Sequence, residues 1–162
     1  MRAPWLFLMF LLAACGADEA TDNESNASTQ TQNVAIVEEF EKVEKTFADG
    51  SPEVVGIYTV NEAGFRDKVH EKHFHPNGAI SMEGPMLNGK RQGVWKSWYT
   101  NGIQWSQNDY ENGLRNGKTF SWYENGNLRY EGQYENDKQV GFWQVYDENG
   151  TLVSESEHGT SN

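Results

Sequence analysis

Residues 51–158 contain short runs in which apolar and polar side chains alternate, and each run ends at a glycine-bearing pair. The runs GVWKSWY, starting at Gly93, and IQWSQNDY, starting at Ile103, are two examples. Alternation with a period of two predicts strands with one buried face, and Asn-Gly between such runs favours a tight turn. The pattern therefore predicts a series of antiparallel β-hairpins.

The turn signals recur with a period of 24 residues. One set of Asn-Gly pairs begins at Asn77, Asn101, Asn125 and Asn149. A second set lies between them, at Asn88-Gly89, Asn112-Gly113 and Asn136-Asp137. A fixed period of this length indicates a repeat fold in which neighbouring units stabilise one another. We expect an all-β fold, an elongated antiparallel meander of repeated β-hairpins over residues 51–158, with a short tail at 159–162.

If all the loops have two residues, the alternation assigns the side chains to two faces. Trp98 then lies opposite Trp105, and Tyr99 opposite Gln104. One face is apolar and collects Ile80, Met82, Met86, Trp95, Tyr99, Tyr110, Tyr123, Leu128, Tyr130, Tyr134, Trp143 and Leu152. The other face is polar apart from a column of rings, the ring ladder, formed by Phe74, Trp98, Trp122 and Tyr146. The ladder is a candidate binding surface for a protein or for sugar rings, and the simpler alternative is that it only covers the sheet.

The segment VAIVEEFEKVEKTFA, residues 34–48, fits neither a helix nor a strand cleanly. We expect residues 34–50 to form a lead-in segment and the first strand of a weak repeat. The strand should begin at about Val43, after a short irregular or helical stretch.

The first fifteen residues contain one arginine, an apolar run and then small residues, MRAPWLFLMFLLAAC. This pattern predicts a signal peptide at residues 1–14. The segment Leu12-Ala13-Ala14-Cys15-Gly16 resembles a bacterial lipobox, and Cys15 is the only cysteine. The resemblance implies acylation of Cys15 and attachment to the cell envelope through lipid. Gly16 after the cysteine favours the outer membrane if the cell is Gram-negative. Residues 15–33 are polar and acidic, which predicts a disordered linker.

Charge and motif content narrow the possible functions. The formal net charge of -11 argues against nucleic-acid binding, which needs basic patches. No nucleophile, paired-carboxylate or phosphate-loop pattern appears, so we expect neither catalysis nor a cofactor. His73 and His75 lie two residues apart and are weak candidates for metal ligands, but no third ligand is specified.

The units resemble the MORN-repeat variant family. The resemblance extends nearly throughout the segment from Trp122 to Gly150, WYENGNLRYEGQYENDKQVGFWQVYDENG. Outside that segment, Thr119 departs from the family pattern, because it stands at the repeat position that Trp95 and Trp143 hold in the other units. The resemblance implies a hairpin repeat without intrinsic catalysis. Some members are described as YwqK-type antitoxins of toxin–antitoxin modules, and others are exported proteins.

Taken together, the sequence predicts a non-enzymatic envelope lipoprotein whose repeat sheet binds or scaffolds a protein partner. One alternative is an antitoxin- or immunity-like protein that neutralises a partner toxin. Another is carbohydrate binding, to the cell wall or lipopolysaccharide, through the ring ladder.

Overall fold

A computed structural model describes residues 35–159, which form one open antiparallel sheet with no second layer. The strands are β1 (Ile36–Thr46), β2 (Pro52–Asn61), β3 (Arg66–Phe74), β4 (Ile80–Leu87), β5 (Lys90–Arg91), β6 (Gly93–Trp98), β7 (Gln104–Glu111), β8 (Leu114–Trp122), β9 (Leu128–Glu135), β10 (Lys138–Tyr146) and β11 (Leu152–His158). Neighbours in sequence are neighbours in space, except that the short β5 pairs only with β4. The predicted repeated-hairpin sheet is confirmed. The described part contains no helix long and apolar enough to cross a membrane.

The predicted signal peptide, the predicted acylation site at Cys15 and the predicted linker at 15–33 all lie outside the described residues. The expected irregular or helical stretch before Val43 is wrong, because β1 is already a strand from Ile36. It pairs along the whole of β2, and Phe40 stacks on Tyr58 with ring centroids 5.5 Å apart. Irregularities in the register, one of them between Val43 and Lys45, interrupt the alternation in this strand. That interruption explains why its sequence lacks a clear period of two.

The two sets of turns have different geometries. In the second set both central residues have positive φ, for example Asn112 at 52° and Gly113 at 89°, which is the predicted two-residue type I′ turn. In the first set the loop has three residues. Gly102 N–H donates to the Tyr99 carbonyl at 2.9 Å, Tyr99 N–H donates to the Ile103 carbonyl at 2.9 Å, and only Gly102 has a positive φ, of 84°. The prediction of two-residue loops is wrong for this set.

The three-residue loops change the register of the strands that they join. Trp98 pairs with Gln104 instead of Trp105, and Trp105 becomes the extra residue of a β-bulge. In the other units the equivalent bulges place an apolar side chain opposite the ladder ring. The pairs are Phe74–Ile80, Trp122–Leu128 and Tyr146–Leu152. Assigning Ile80, Leu128 and Leu152 to the face away from the ladder was therefore wrong.

Tryptophans that lie over glycines form the best-buried part of the sheet. The face that carries them is called the core face. Trp95 is 2% exposed and lies over Gly84, and Trp143 is 6% exposed and lies over Gly132. A Cβ atom at either glycine would lie 2.4 Å from a ring carbon of its tryptophan. Trp95 Nε1 donates to the carbonyl of Pro85 at 2.9 Å. These contacts require glycine because any side chain would occupy the space of the indole.

In the unit between these two, polar residues replace the tryptophan and the glycine. Asn108 stands at the glycine position and Thr119 at the tryptophan position, and Thr119 Oγ1 donates to Asn108 Oδ1 at 2.6 Å. Thr119 is 1% exposed, so this hydrogen bond satisfies a buried hydroxyl. Next to it, Ser97 and Ser106 share a hydrogen bond of 2.6 Å between their hydroxyls. The replacement of tryptophan by Thr119 is thus accompanied by the replacement of its glycine partner by Asn108.

A hydrogen bond from a ring to the backbone joins each unit to the next. Tyr99 Oη donates to the carbonyl of Trp122, and Tyr123 Oη donates to the carbonyl of Tyr146, both at 2.9 Å. His75 holds the equivalent position, and its Nε2 lies 2.9 Å from the carbonyl oxygen of Trp98. These bonds hold the ends of the strands that carry the ring ladder.

Candidate binding face

The structure places all four rings of the ladder on one face, called the ladder face, and each ring is half-buried. A row of acids and an amide on the neighbouring strands shares this face: Glu83, Gln107, Glu131 and Glu155. Rings one unit apart are separated by two strand spacings, about 10 Å. The ladder is therefore a set of separate rings that a ligand could contact one after another.

Neighbours on the sheet hold the ladder rings in place. Trp122 stacks on Phe120 with centroids 5.9 Å apart and an interplanar angle of 24°. Tyr146 Oη lies 3.1 Å from Glu131 Oε1 and 2.9 Å from Gln144 Oε1. Burial and the hydrogen bond to Glu131 raise the pKa of the Tyr146 phenol. Fixed rings lose little conformational freedom on binding, which favours affinity.

Three apolar residues of the ladder face were missed when that face was predicted to be polar outside the ladder. Phe142 is 62% exposed, Val94 is 42% exposed, and Phe120 is half-buried. All three lie an even number of positions before a ladder ring on the same strand. Counting back by two from Trp98, Trp122 and Tyr146 would have found them, because side chains alternate along the strand between each of them and its ring.

Two of the missed residues help to line an open depression of about 600 Å³ near the end of the sheet. Its lining residues are Lys118, Phe120, Glu131, Gly132, Gln133, Phe142, Gln144 and Glu155. Gly132 has no side chain, so the backbone is exposed at the base, while the indole of Trp143 covers the other side. The depression joins two phenyl rings with a mostly acidic and amide rim.

A second depression of about 400 Å³ lies at related positions two units earlier. It is lined by His70, Glu83, Gly84, Val94, Lys96 and Gln107. The imidazole Nε2 of His70 is 3.6 Å from a carboxylate oxygen of Glu83. Here Val94 and Lys96 stand where Phe142 and Gln144 line the first depression, so this end of the ladder face is less aromatic and more basic.

The two histidines considered as metal ligands have separate partners. His73 Nε2 lies 2.7 Å from Glu71 Oε1, whereas His75 bonds the backbone of the next unit as the tyrosines at its position do. Ring-for-ring replacement therefore explains His75. Among residues 35–159, no group of three or more His, Cys, Asp or Glu side chains is arranged to hold a metal ion.

Charged residues replace the tryptophan–glycine packing at the start of the core face. Glu71 occupies the tryptophan position beside Gly56, and Lys68 Nζ lies 2.9 Å from Glu71 and 2.6 Å from Glu44. Burial opposes the charge on each of these groups, but the hydrogen bonds outweigh it. They raise the pKa of Lys68 to about 12 and lower the pKa values of Glu44 and Glu71. Tyr58 Oη also donates to Glu44. This network is satisfied internally and offers no free acid–base pair.

Comparison with known families supports the repeat assignment. The family model of the MORN repeat variant matches residues 91–113, 115–136 and 139–158. Three units of this chain match the MORN repeat variant. Each matched segment spans two strands that are joined by one of the three-residue loops, which are β6 and β7, β8 and β9, and β10 and β11. No curated protein and no solved structure matches the chain.

Proposed function

We propose that the sheet is a non-enzymatic binding module that holds a partner protein on its ladder face. The observation that carries the proposal is the aromatic lining of the large depression, where Phe142 is 62% exposed and Phe120 lines the same depression. Aromatic side chains at the centre of a patch with a charged rim are typical of protein interfaces. The matches to the MORN repeat variant agree with a repeat-based binding or scaffolding role.

Two narrower functions are tested by the same experiments. Neutralising a partner toxin would be one case of protein binding, and it predicts that the captured partner is a toxin. Carbohydrate binding would instead use the separate rings of the ladder as stacking platforms. The phenyl rings of Phe120 and Phe142 favour a protein, because they add apolar surface beside the ladder.

We also propose that the chain is a lipoprotein of the bacterial cell envelope, anchored through Cys15. The lipobox-like segment Leu12-Ala13-Ala14-Cys15-Gly16 supports this. A single acyl chain binds membranes only marginally, whereas two or more hold firmly. The residues between Cys15 and β1 would then set how far the sheet can reach from the membrane.

Changing Cys15→Ser should abolish acylation and release the protein from the membrane fraction. The expected result is loss of label from a clickable fatty acid and a shift to the aqueous phase in detergent partitioning. The variant Ala14→Gly keeps the cysteine and a small residue before it, so it should still be labelled. Membrane retention of the Cys15→Ser protein at the original level would contradict the anchor.

A photo-crosslinking residue at Phe142 should capture a partner protein in intact cells. The matched control carries the same residue at Ser154, which is exposed on the core face, and it should capture much less. Adding Trp122→Ala to the Phe142 probe should weaken capture, since an interface aromatic contributes about 2 kcal/mol or more.

Two outcomes would contradict protein binding at the ladder face. One is equal capture at Phe142 and Ser154. The other is retention on peptidoglycan or lipopolysaccharide that Trp98→Ala and Trp122→Ala abolish while protein capture is unchanged, which would support carbohydrate binding instead.

A further inference from the structure

Arginines one unit apart lie over aromatic rings on the core face. The guanidinium carbon of Arg91 is 4.2 Å from the ring centroid of Trp95 and 5.5 Å from that of Tyr110. One unit later, the guanidinium carbon of Arg115 is 3.8 Å from the ring centroid of Tyr134. Both arginines are half-buried. Stacking of this kind fixes the plane of the guanidinium and leaves its edge available for hydrogen bonds.

The edge of Arg115 is occupied by a carboxylate of its own chain. Arg115 Nε donates to Asp137 Oδ1 at 2.8 Å, and Arg115 N–H donates to the same oxygen at 3.1 Å. Asp137 is the second residue of a type I′ turn, with a φ of 65°. Its backbone N–H donates to the carbonyl of Arg115 at 3.0 Å. The turn therefore presents a carboxylate directly to the stacked arginine.

The equivalent turn next to Arg91 has glycine in place of that aspartate. Gly113 also has a positive φ, of 89°, and its N–H donates to the carbonyl of Arg91 at 2.9 Å. The backbone arrangement is thus repeated while the carboxylate is missing. Between residues 35 and 159, no acidic side chain forms an ion pair with Arg91.

A second cation, Lys90, lies at this turn. The side chain of Lys90 packs beside Gly113, and its Cβ would lie 3.5 Å from a Cβ added there. Glu111, two residues before Gly113, accepts a hydrogen bond from Asn116 Nδ2 at 2.5 Å and forms no ion pair with Arg91. The only polar contact of the Arg91 guanidinium within the described range is to Tyr110 Oη, at 3.4 Å.

We propose that Arg91, held by Trp95 and Tyr110 beside Gly113, is a binding site for a carboxylate group. The ligand would take the position that Asp137 takes at Arg115, with Lys90 as a second cation. An acidic side chain of a peptide and a small free carboxylate share this chemistry. The site lies on the core face and is independent of the proposed function of the ladder face.

The site can be tested by titrating the 15N-labelled full chain and following the Nε–H signals of both arginines. The probes are the peptide acetyl-Glu-Glu-Glu-amide and sodium acetate, with sodium chloride at equal ionic strength as the reference. The Arg91 signal should shift and saturate with the carboxylates, while the Arg115 signal should not respond because Asp137 already occupies it. Tighter binding of the peptide than of acetate per carboxylate would identify an acidic segment as the source, and equal binding would identify a free carboxylate.

Matched substitutions at the turn separate the carboxylate from changes in the backbone. Gly113→Asp should supply the missing group, so peptide affinity should fall by about fivefold or more. Gly113→Asn introduces a side chain of the same size as aspartate but without the charge. The peptide affinity of this variant should stay within about twofold of the original value. Conversely, Asp137→Gly should make the Arg115 signal respond to the peptide.

The outcomes decide the proposal clearly. A saturable response confined to Arg91, weakened by about fivefold or more in Gly113→Asp and kept within about twofold in Gly113→Asn, supports it. Arg91 and Arg115 responding equally to the carboxylates in the original chain would overturn it. A response of Arg91 no larger than with sodium chloride would overturn it as well.

Discussion

Gly132→Asn is expected to destabilise the sheet by about 3 kcal/mol or more, near or above the upper end of the range for overpacked cores. The cause is direct overlap, because a Cβ at Gly132 would lie 2.4 Å from ring carbons of Trp143, which is 6% exposed. Trp143→Thr alone should cost a similar amount, about 3–5 kcal/mol, because a buried indole is lost. Urea unfolding followed by tryptophan fluorescence measures both changes.

Combining the two substitutions should destabilise the sheet by less than the sum of the two single changes. The double variant reproduces the pair of Asn108 and Thr119, which is found one unit earlier with a hydrogen bond of 2.6 Å. Residues in contact typically show coupling energies of 0.5–3 kcal/mol, and we expect about 2 kcal/mol here. Gly159→Ala, where an added Cβ meets nothing within 4 Å, is the control and should be neutral. Strict additivity of the two single changes would show that the tryptophan and glycine positions do not exchange as a pair.

The hairpins were predictable because turn residues carry strong local information. At Asn112-Gly113 both residues have the positive φ that type I′ turns require, and the sequence pattern identified this turn correctly. The 24-residue spacing then implied that successive hairpins pair with one another. Both signals are local and repeated, so neither depended on knowing the tertiary contacts.

Loop length could not be predicted because Asn-Gly is compatible with two geometries. At Asn101-Gly102 the glycine is the left-handed residue of a three-residue loop, and the pair looks the same in sequence as a two-residue turn. One extra loop residue shifts the register, which moved Leu128 opposite Trp122. The ladder rings were still placed on one face because they precede the loops.

The glycines that pack against the tryptophans could not be predicted from the sequence for a different reason. Gly84 and Gly132 lie in the middle of strands and follow a glutamate, so no turn signal marks them in the sequence. Their role depends on a contact with an indole on the neighbouring strand, and this becomes visible only when the register is known. The carboxylate position beside Arg91 was hidden in the same way, since it depends on comparing Gly113 with Asp137 in space.

The first described unit departs from the later ones in its core. Glu71 takes the tryptophan position and is paired with Lys68, so hydrogen bonds and ion pairs replace packing of an indole on glycine. The matches to the MORN repeat variant begin at residue 91, just before Trp95. The strand pairing nevertheless continues through β2 and β3, because backbone hydrogen bonds do not depend on which side chain fills the central position.

Trp95→Ala should destabilise the protein far more than Trp98→Ala, although both tryptophans lie on β6. Trp95 is 2% exposed and packed on Gly84, so its loss should lower the free energy of unfolding by about 3–5 kcal/mol. Trp98 is half-buried on the ladder face, and His75 bonds its backbone carbonyl, which alanine keeps, so we expect a loss of about 1 kcal/mol. Urea midpoints measure the difference, and the crosslinking assay then shows whether folded Trp98→Ala protein has lost its partner. Equal destabilisation by the two substitutions would mean that the ladder rings are part of the core, and the proposed division between a structural face and a binding face would be wrong.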